Sequence, residues 1–280
     1  MYPFKIGVIL NSFRVGTDES IIKAREAGVS GLQVYATGGE MAPENMTRER
    51  LSSFKRLCRD NGLEISALCG DLGQGFTHPE KNPALIEKSK RILYLGKEMG
   101  TNIVTTHIGV VPEDKNSDTY KIMSEACYEL ATYADSLDAH FAVETGPEPA
   151  ARLAAFLDGL NSTGVAVNMD PANLTMVTGD DPVQAVYTLK KYIVHTHAKD
   201  GKMLKPTDTT VLYDGIEHAI REGTAFIELP LGQGDVDWDN YLKALNDIGY
   251  KGFLTIEREV GENPEADIRR AVNFLKERIK

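Results

Sequence analysis

Eight short apolar runs rich in β-branched residues recur along the chain with amphipathic segments between them, and no other feature of the sequence restricts the fold as tightly. The runs are approximately 5–10 (KIGVIL), 31–35 (GLQVY), 64–68 (EISAL), 102–107 (NIVTTH), 139–144 (AHFAVE), 165–170 (VAVNMD), 193–197 (IVHTH) and 252–257 (GFLTIE). Between them SIIKAREAG, RERLSSFKRLCRDNG, IEKSKRILYLGKEMG, SEACYELATYADSL and DNYLKALNDIG place apolar residues three and four apart, the period of a helix with one buried face. Several of these segments end in glycine, the residue favoured just past a helix C-terminus. Strands that alternate with helices are βαβ units around a parallel sheet. Eight of them within 280 residues predict an α/β fold, a single (β/α)₈ barrel formed by residues 1–280. An open doubly wound sheet would usually show fewer strands and a glycine-rich first turn, whereas the first turn here, NSFRVGTDES, has no GxGxxG and no GxxxxGK occurs anywhere.

One stretch breaks the rhythm. Residues at about 200–237 separate the seventh run from its helix and contain HAIREG and ELPLGQGDVDW, which predicts a long loop insertion acting as a lid or a contact surface. Trp238, at the end of that stretch, is expected to anchor the start of the following helix.

The net charge of -10 gives a surface that repels phosphate backbones and anionic lipid, so neither nucleic acid nor membrane is an expected partner. Three scattered cysteines, with no CxxC among them, form neither a disulfide framework nor a thiolate zinc cluster and suit a reducing compartment. The N-terminal MYPFKIGVIL is too short an apolar run for a secretory leader, so the sequence reads as a cytoplasmic protein. Tyr120, Met123, Tyr128 and Tyr133 lie near helical spacing and are expected to pack on the barrel or on a second copy, which makes a homo-oligomer an expectation.

Active sites of this barrel lie at the C-terminal ends of the strands. Four consecutive runs end in an acid or an imidazole: FAVE at Glu144, AVNMD at Asp170, IVHTH at His197 and FLTIE at Glu257. Three carboxylates and one imidazole make an oxygen-rich site for one divalent ion, with Mn²⁺ the first choice and Mg²⁺, Co²⁺ or Zn²⁺ alternatives. Other polar groups stand at the same level. His107 closes the fourth run, Asp71 and Gln74 follow the third, and Lys199 and Asp200 follow His197. His195 shares strand parity with His197, which leaves it equally an interior support and a substrate ligand. Arg258, by the same alternation, should point away from the interior.

The motifs ETGPE at Glu144, NMDPAN at Asp170, HTHAKD from His195, GQGDVDW and TIERE at Glu257 resemble those of the xylose-isomerase-like superfamily of sugar and sugar-phosphate isomerases and epimerases, over nearly the whole length. The resemblance implies that Glu144, Asp170, His197 and Glu257 hold one metal. It also implies that Glu144 and Glu257 move protons to and from a carbon beside a carbonyl, through a metal-stabilised enediolate. His107, Lys199, Asn173, Glu148 and His195 are the expected substrate-binding residues, and the substrate is a small carbohydrate or related polyol carbonyl compound. Asn173, Ala150 and Met203 stand where the ketohexose 3-epimerases of that family carry a histidine, a glutamate and an arginine; Glu148 and Lys202 or Lys205 are the candidates to replace the latter two. The same ligand set serves dehydratases, and a barrel that binds metal without turnover is a third possibility. The superfamily's DNA-repair endonucleases, with a three-metal cluster and a basic groove, do not fit six histidines and an acidic balance.

Overall fold

The computed structural model of the protein describes residues 1–210 and 225–280. Eight parallel strands close on themselves: β1 (Lys5–Ile9), β2 (Gly31–Tyr35), β3 (Glu64–Cys69), β4 (Ile103–Thr106), β5 (His140–Glu144), β6 (Val165–Met169), β7 (Ile193–Ala198) and, after two strands outside the barrel, β10 (Phe253–Ile256). Their order around the barrel is β1-β10-β7-β6-β5-β4-β3-β2. Each barrel strand coincides with one of the eight apolar runs to within a residue or two. Eight helices of eight or more residues are described: α1 (Thr17–Ala27), α2 (Arg48–Asp60), α3 (Asn82–Met99), α4 (Asp118–Ser136), α5 (Ala150–Leu160), α6 (Pro182–Leu189), α7 (Trp238–Asp247) and α8 (Pro264–Ile279).

Local chemistry sets the helix ends. Thr47, Ser117, Asp181, Asp237 and Asn263 cap α2, α4, α6, α7 and α8, each accepting a hydrogen bond from a backbone N–H two or three residues on. Gly28 and Gly100 terminate α1 and α3 in the left-handed region, at φ of 82° and 96°. The helices bury their apolar faces against the outer wall of the barrel in one continuous core that includes Ile21, Ile92, Leu130, Phe156, Tyr241 and Leu275. The three cysteines are buried and unpaired. No described helix is long and apolar enough to cross a membrane.

The insertion carries structure of its own. β8 (Asp200–Met203) and β9 (Phe226–Leu229) pair antiparallel outside the barrel. The HAIREG segment lies outside the described residues. Asp200, the first residue of β8, accepts hydrogen bonds from the backbone N–H of Gly232 (2.8 Å) and Val236 (3.3 Å) and from Trp238 Nε1 (3.0 Å). This folds GQGDVDW back onto β8. Trp238 is buried edge-on against Tyr241 and Phe274, as anchoring requires. The α4 aromatics do not share one face: Met123 is buried and Tyr120 packs on Phe156, but Tyr128 is 55% exposed.

Candidate metal and active site

Glu144, Asp170, His197 and Glu257 converge at the C-terminal mouth, all buried, with one ligand atom from each within 4.8 Å of the others. His197 Nδ1 sits at the centre of the group, 3.4 Å from Glu144 Oε1, 3.3 Å from Asp170 Oδ2 and 3.2 Å from Glu257 Oε2. Ligands on opposite sides of a small divalent ion stand about 4.2 Å apart, so the spacing suits one ion. The donor chemistry suits it as well. Burial by itself would lower the His197 pKa, yet Glu144 and Glu257 hold it well above the usual imidazole value. Positive charge is thus favoured at the point where the three carboxylates meet. Glu257 Oε2 is buried and accepts no hydrogen bond of good geometry from the described residues.

The positions of these four groups follow from register and local turns. β5 pairs with β6 so that Glu144 lies beside Asn168, and β7 pairs with β10 so that His197 lies beside Thr255. Asp170 follows β6 and is fixed twice: its N–H donates to Thr145 Oγ1 (2.8 Å) and its Oδ1 accepts from Asn173 N (2.9 Å). Pro171, whose ring favours the first position of a helical turn, closes that turn. Oδ2 is left to face His197.

A layer of polar side chains supports the four candidate ligands from within the barrel. His197 Nε2 donates to Gln33 Oε1 (3.0 Å), which turns Nδ1 toward the carboxylates, and Gln33 Nε2 donates to Thr105 Oγ1 (3.0 Å). Asn168 donates from Nδ2 to Glu144 Oε2 (3.1 Å) and accepts from His195 Nδ1 (2.8 Å). Thr255 Oγ1 donates to His195 Nε2 at 2.9 Å. The sequence reading did not single out Gln33, Thr105, Asn168 or Thr255. Thr105, Asn168 and Thr255 have the parity of His107, Asp170 and Glu257 on their strands, and polar residues inside apolar runs were the available signal.

The expected substrate-binding residues divide. His195 is 1% exposed with both ring nitrogens engaged by protein, so the structure gives it the interior supporting position. Asn173 donates from Nδ2 to Glu144 Oε1 at 3.1 Å and thereby holds that carboxylate. Glu148 is buried, accepts from Val111 N (2.9 Å) through Oε2 and leaves Oε1 without a hydrogen-bond partner among the described residues. Burial pushes its carboxyl up to about 7. Lys199 lies at the mouth with Nζ 3.1 Å from Glu257 Oε2 and paired also with Glu259, the second acid of TIERE and a residue missed in the sequence. His107 reaches the mouth from β4, with Nε2 3.7 Å from Glu144 Oε1 and Nδ1 2.9 Å from Asp71 Oδ2. Arg258 points outward as expected, to Glu228 (2.5 Å) and Asp267 (3.0 Å), tying β9 to α8.

Burial by itself would raise both catalytic candidates. For Glu257 the Lys199 and His197 cations outweigh burial and hold the carboxyl down at about 2, and for Glu144 the His197 and His107 imidazoles do the same in direction. Both are carboxylates across the neutral range, the state a proton acceptor needs.

The chain is similar to known proteins over most of its length. L-ribulose-5-phosphate 3-epimerase UlaE of Escherichia coli O157:H7 is 22% identical over 290 residues, covering 95% of this chain and 94% of that protein. The crystal structure of a xylose isomerase domain protein from Planctomyces limnophilus superposes with a TM-score of 0.79 at 25% identity, covering 99% of this chain and 96% of the other. The probable 3-DHS dehydratase AsbF of Bacillus anthracis superposes with a TM-score of 0.77 at 19% identity, covering 98% and 99%, which is a likeness of fold. The profile of one family, described as xylose isomerase-like TIM barrel, matches residues 21–278, and this chain belongs to that family.

Proposed function

We propose that the chain is a divalent-metal-dependent epimerase or isomerase of a sugar, a sugar phosphate or a related polyol carbonyl compound. The observation that carries this reading is the convergence of two buried carboxylates, Glu144 and Glu257, with Asp170 and His197 at the mouth of the barrel. The curated relative named above is a sugar-phosphate epimerase, which supports the same class. Glu144, Asp170, His197 and Glu257 would hold a divalent cation, Mn²⁺ in first place, which would supply electrophilic stabilisation of negative charge developing beside the carbonyl. Glu144 and Glu257 are the proton acceptor and donor at the carbon beside the carbonyl: used on opposite faces they invert that carbon, and used on one face they move the proton to its neighbour. Lys199 and His107 flank the two carboxylates and bind substrate oxygens, and Glu148 closes the side of the mouth near Val111.

The test is deuterium incorporation, read by mass spectrometry, from D₂O into a panel of ketoses, aldoses and their phosphates by Mn²⁺-loaded protein. The Glu144→Gln, Glu257→Gln double variant is the control. Exchange at a carbon next to the carbonyl, absent in the control, is the expected result. A product lighter by one water assigns a dehydratase instead. Bound metal with no exchange across the panel overturns the proposal.

A further inference from the structure

Two loops at the mouth are joined by a carboxylate–imidazole pair that the metal group does not require. Asp71 follows β3 by two residues and His107 follows β4 by one, and these strands are neighbours. Asp71 Oδ1 accepts from the Gly73 backbone N–H at 2.8 Å, and Oδ2 meets His107 Nδ1 at 2.9 Å. One oxygen is thus fixed by the main chain and the other is presented to the imidazole. The loops behind the pair are stitched together. Phe76 N donates to Ile108 O at 2.9 Å. Gly75, at φ of 62°, approaches the second loop so closely that a Cβ there would stand 2.8 Å from both Ile108 O and Gly109 N. Each side chain of the pair remains about one quarter exposed. With Nδ1 engaged, Nε2 is aimed at the Glu144 side, 3.7 Å from Oε1 and beyond a good hydrogen bond.

We propose that Asp71 is a positioning residue that acts through His107: it holds the ring so that Nε2–H donates to a hydroxyl or carbonyl oxygen of a substrate lying beside Glu144. The substrate half of this statement rests on the proposed function, whereas the holding of the ring does not. A residue that merely braces its own loop through Gly73 would act the same way whether or not His107 were present.

The test combines two readouts on the full-length protein. In ¹H–¹⁵N spectra without substrate, the downfield Nδ1 proton of His107, assigned by its absence in His107→Gln, is expected to be lost or to move upfield in Asp71→Ala. Asp71→Asn, which retains the acceptor for Gly73, separates ring holding from loop folding and should move the same resonance. With the sugar found by deuterium exchange, Asp71→Ala should lower kcat/KM by about 10- to 100-fold, the range for supports of a functional imidazole. In a His107→Gln background the same change should add nothing. An unmoved His107 resonance, or a full additional loss in the His107→Gln background, overturns the proposal. If no sugar exchanges, the proposed function fails, and the resonance alone still decides whether Asp71 holds the ring.

Discussion

Adding Mn²⁺ to the metal-free protein should raise its melting temperature by about 5 °C when the ion is at about one hundred times its dissociation constant. Glu144, Asp170 and Glu257 bring three buried carboxylates together, with His197 and Lys199 as the cations nearest them among the described residues. Like charges about 4 Å apart near a protein surface repel by about 4 kcal/mol, so a divalent ion gains from the folded arrangement and has no such site in the unfolded chain. Binding to the folded state alone contributes about 2.7 kcal/mol at that excess. An unfolding entropy of about 2.1 cal/mol/K per residue gives, for 280 residues, about 0.6 kcal/mol/K, or roughly 1.7 °C for each kcal/mol. The product is the shift stated. Thermal unfolding followed by fluorescence of Trp238, the only tryptophan, after chelation and then titration with Mn²⁺, Mg²⁺, Co²⁺ or Zn²⁺ measures it. Asp170→Asn is the control, because an asparagine Oδ1 still caps the Asn173 N–H while the ligand charge is gone. No shift with any of the four ions, or an equal shift in Asp170→Asn, would refute the reasoning.

Three further outcomes follow from single contacts. Burial raises the Glu148 carboxyl from 4.5 to about 7; between those values the unfolded chain releases a proton that the folded chain keeps, so stability falls as pH rises, by about 3 kcal/mol. Urea unfolding of wild type and Glu148→Gln at pH 5 and pH 8 should therefore show the variant gaining on wild type by about that amount, and parallel behaviour at the two pH values would contradict the assignment. Asp200→Ala strands the donors of Gly232, Val236 and Trp238 and should cost about 2–4 kcal/mol, with Trp238 emission shifting to the red. Unchanged emission would mean that another contact holds the insertion. Gly164→Ala would place a Cβ 2.0 Å from Ala131 O and 2.6 Å from Asp135 N, both main-chain atoms of α4; a loss of about 1–3 kcal/mol or more in denaturant unfolding is expected, and a neutral result would show that α4 can shift.

The architecture was legible because each barrel strand is a β-rich apolar run and most of the helices carry their own cap, so local and global preferences agree. The convergence of the four candidate ligands was legible for a related reason. Strand ends are where a barrel places its chemistry, and Glu144, Asp170, His197 and Glu257 terminate consecutive runs. The insertion was legible only as an irregularity, since β8 and β9 pair with each other and are shaped by one acid, Asp200, whose partners lie as far as 38 residues on. Glu259 went unread because its part in the site depends on Lys199 reaching across from β7, a tertiary contact with no mark in the sequence.

The polar layer beneath the ligands marks the boundary between what parity reveals and what it does not. Two residues before a strand-end ligand, a side chain faces the same interior, so Asn168 lies under Asp170, His195 under His197 and Thr255 under Glu257. Parity therefore says that these residues face inward, but it does not say whether they line a cavity or pack against one another. Register decides that. A shift in the β6–β7 pairing between Val167 and Asn168 sets Asn168 opposite His195, and the amide then bridges His195 and Glu144. The bridge joins an interior histidine to a candidate ligand carboxylate, so the contact of His195 with the acidic group runs through Asn168. The position of an imidazole in an HxH pair is thus set by its neighbours across the sheet, which the spacing of the motif alone does not reveal.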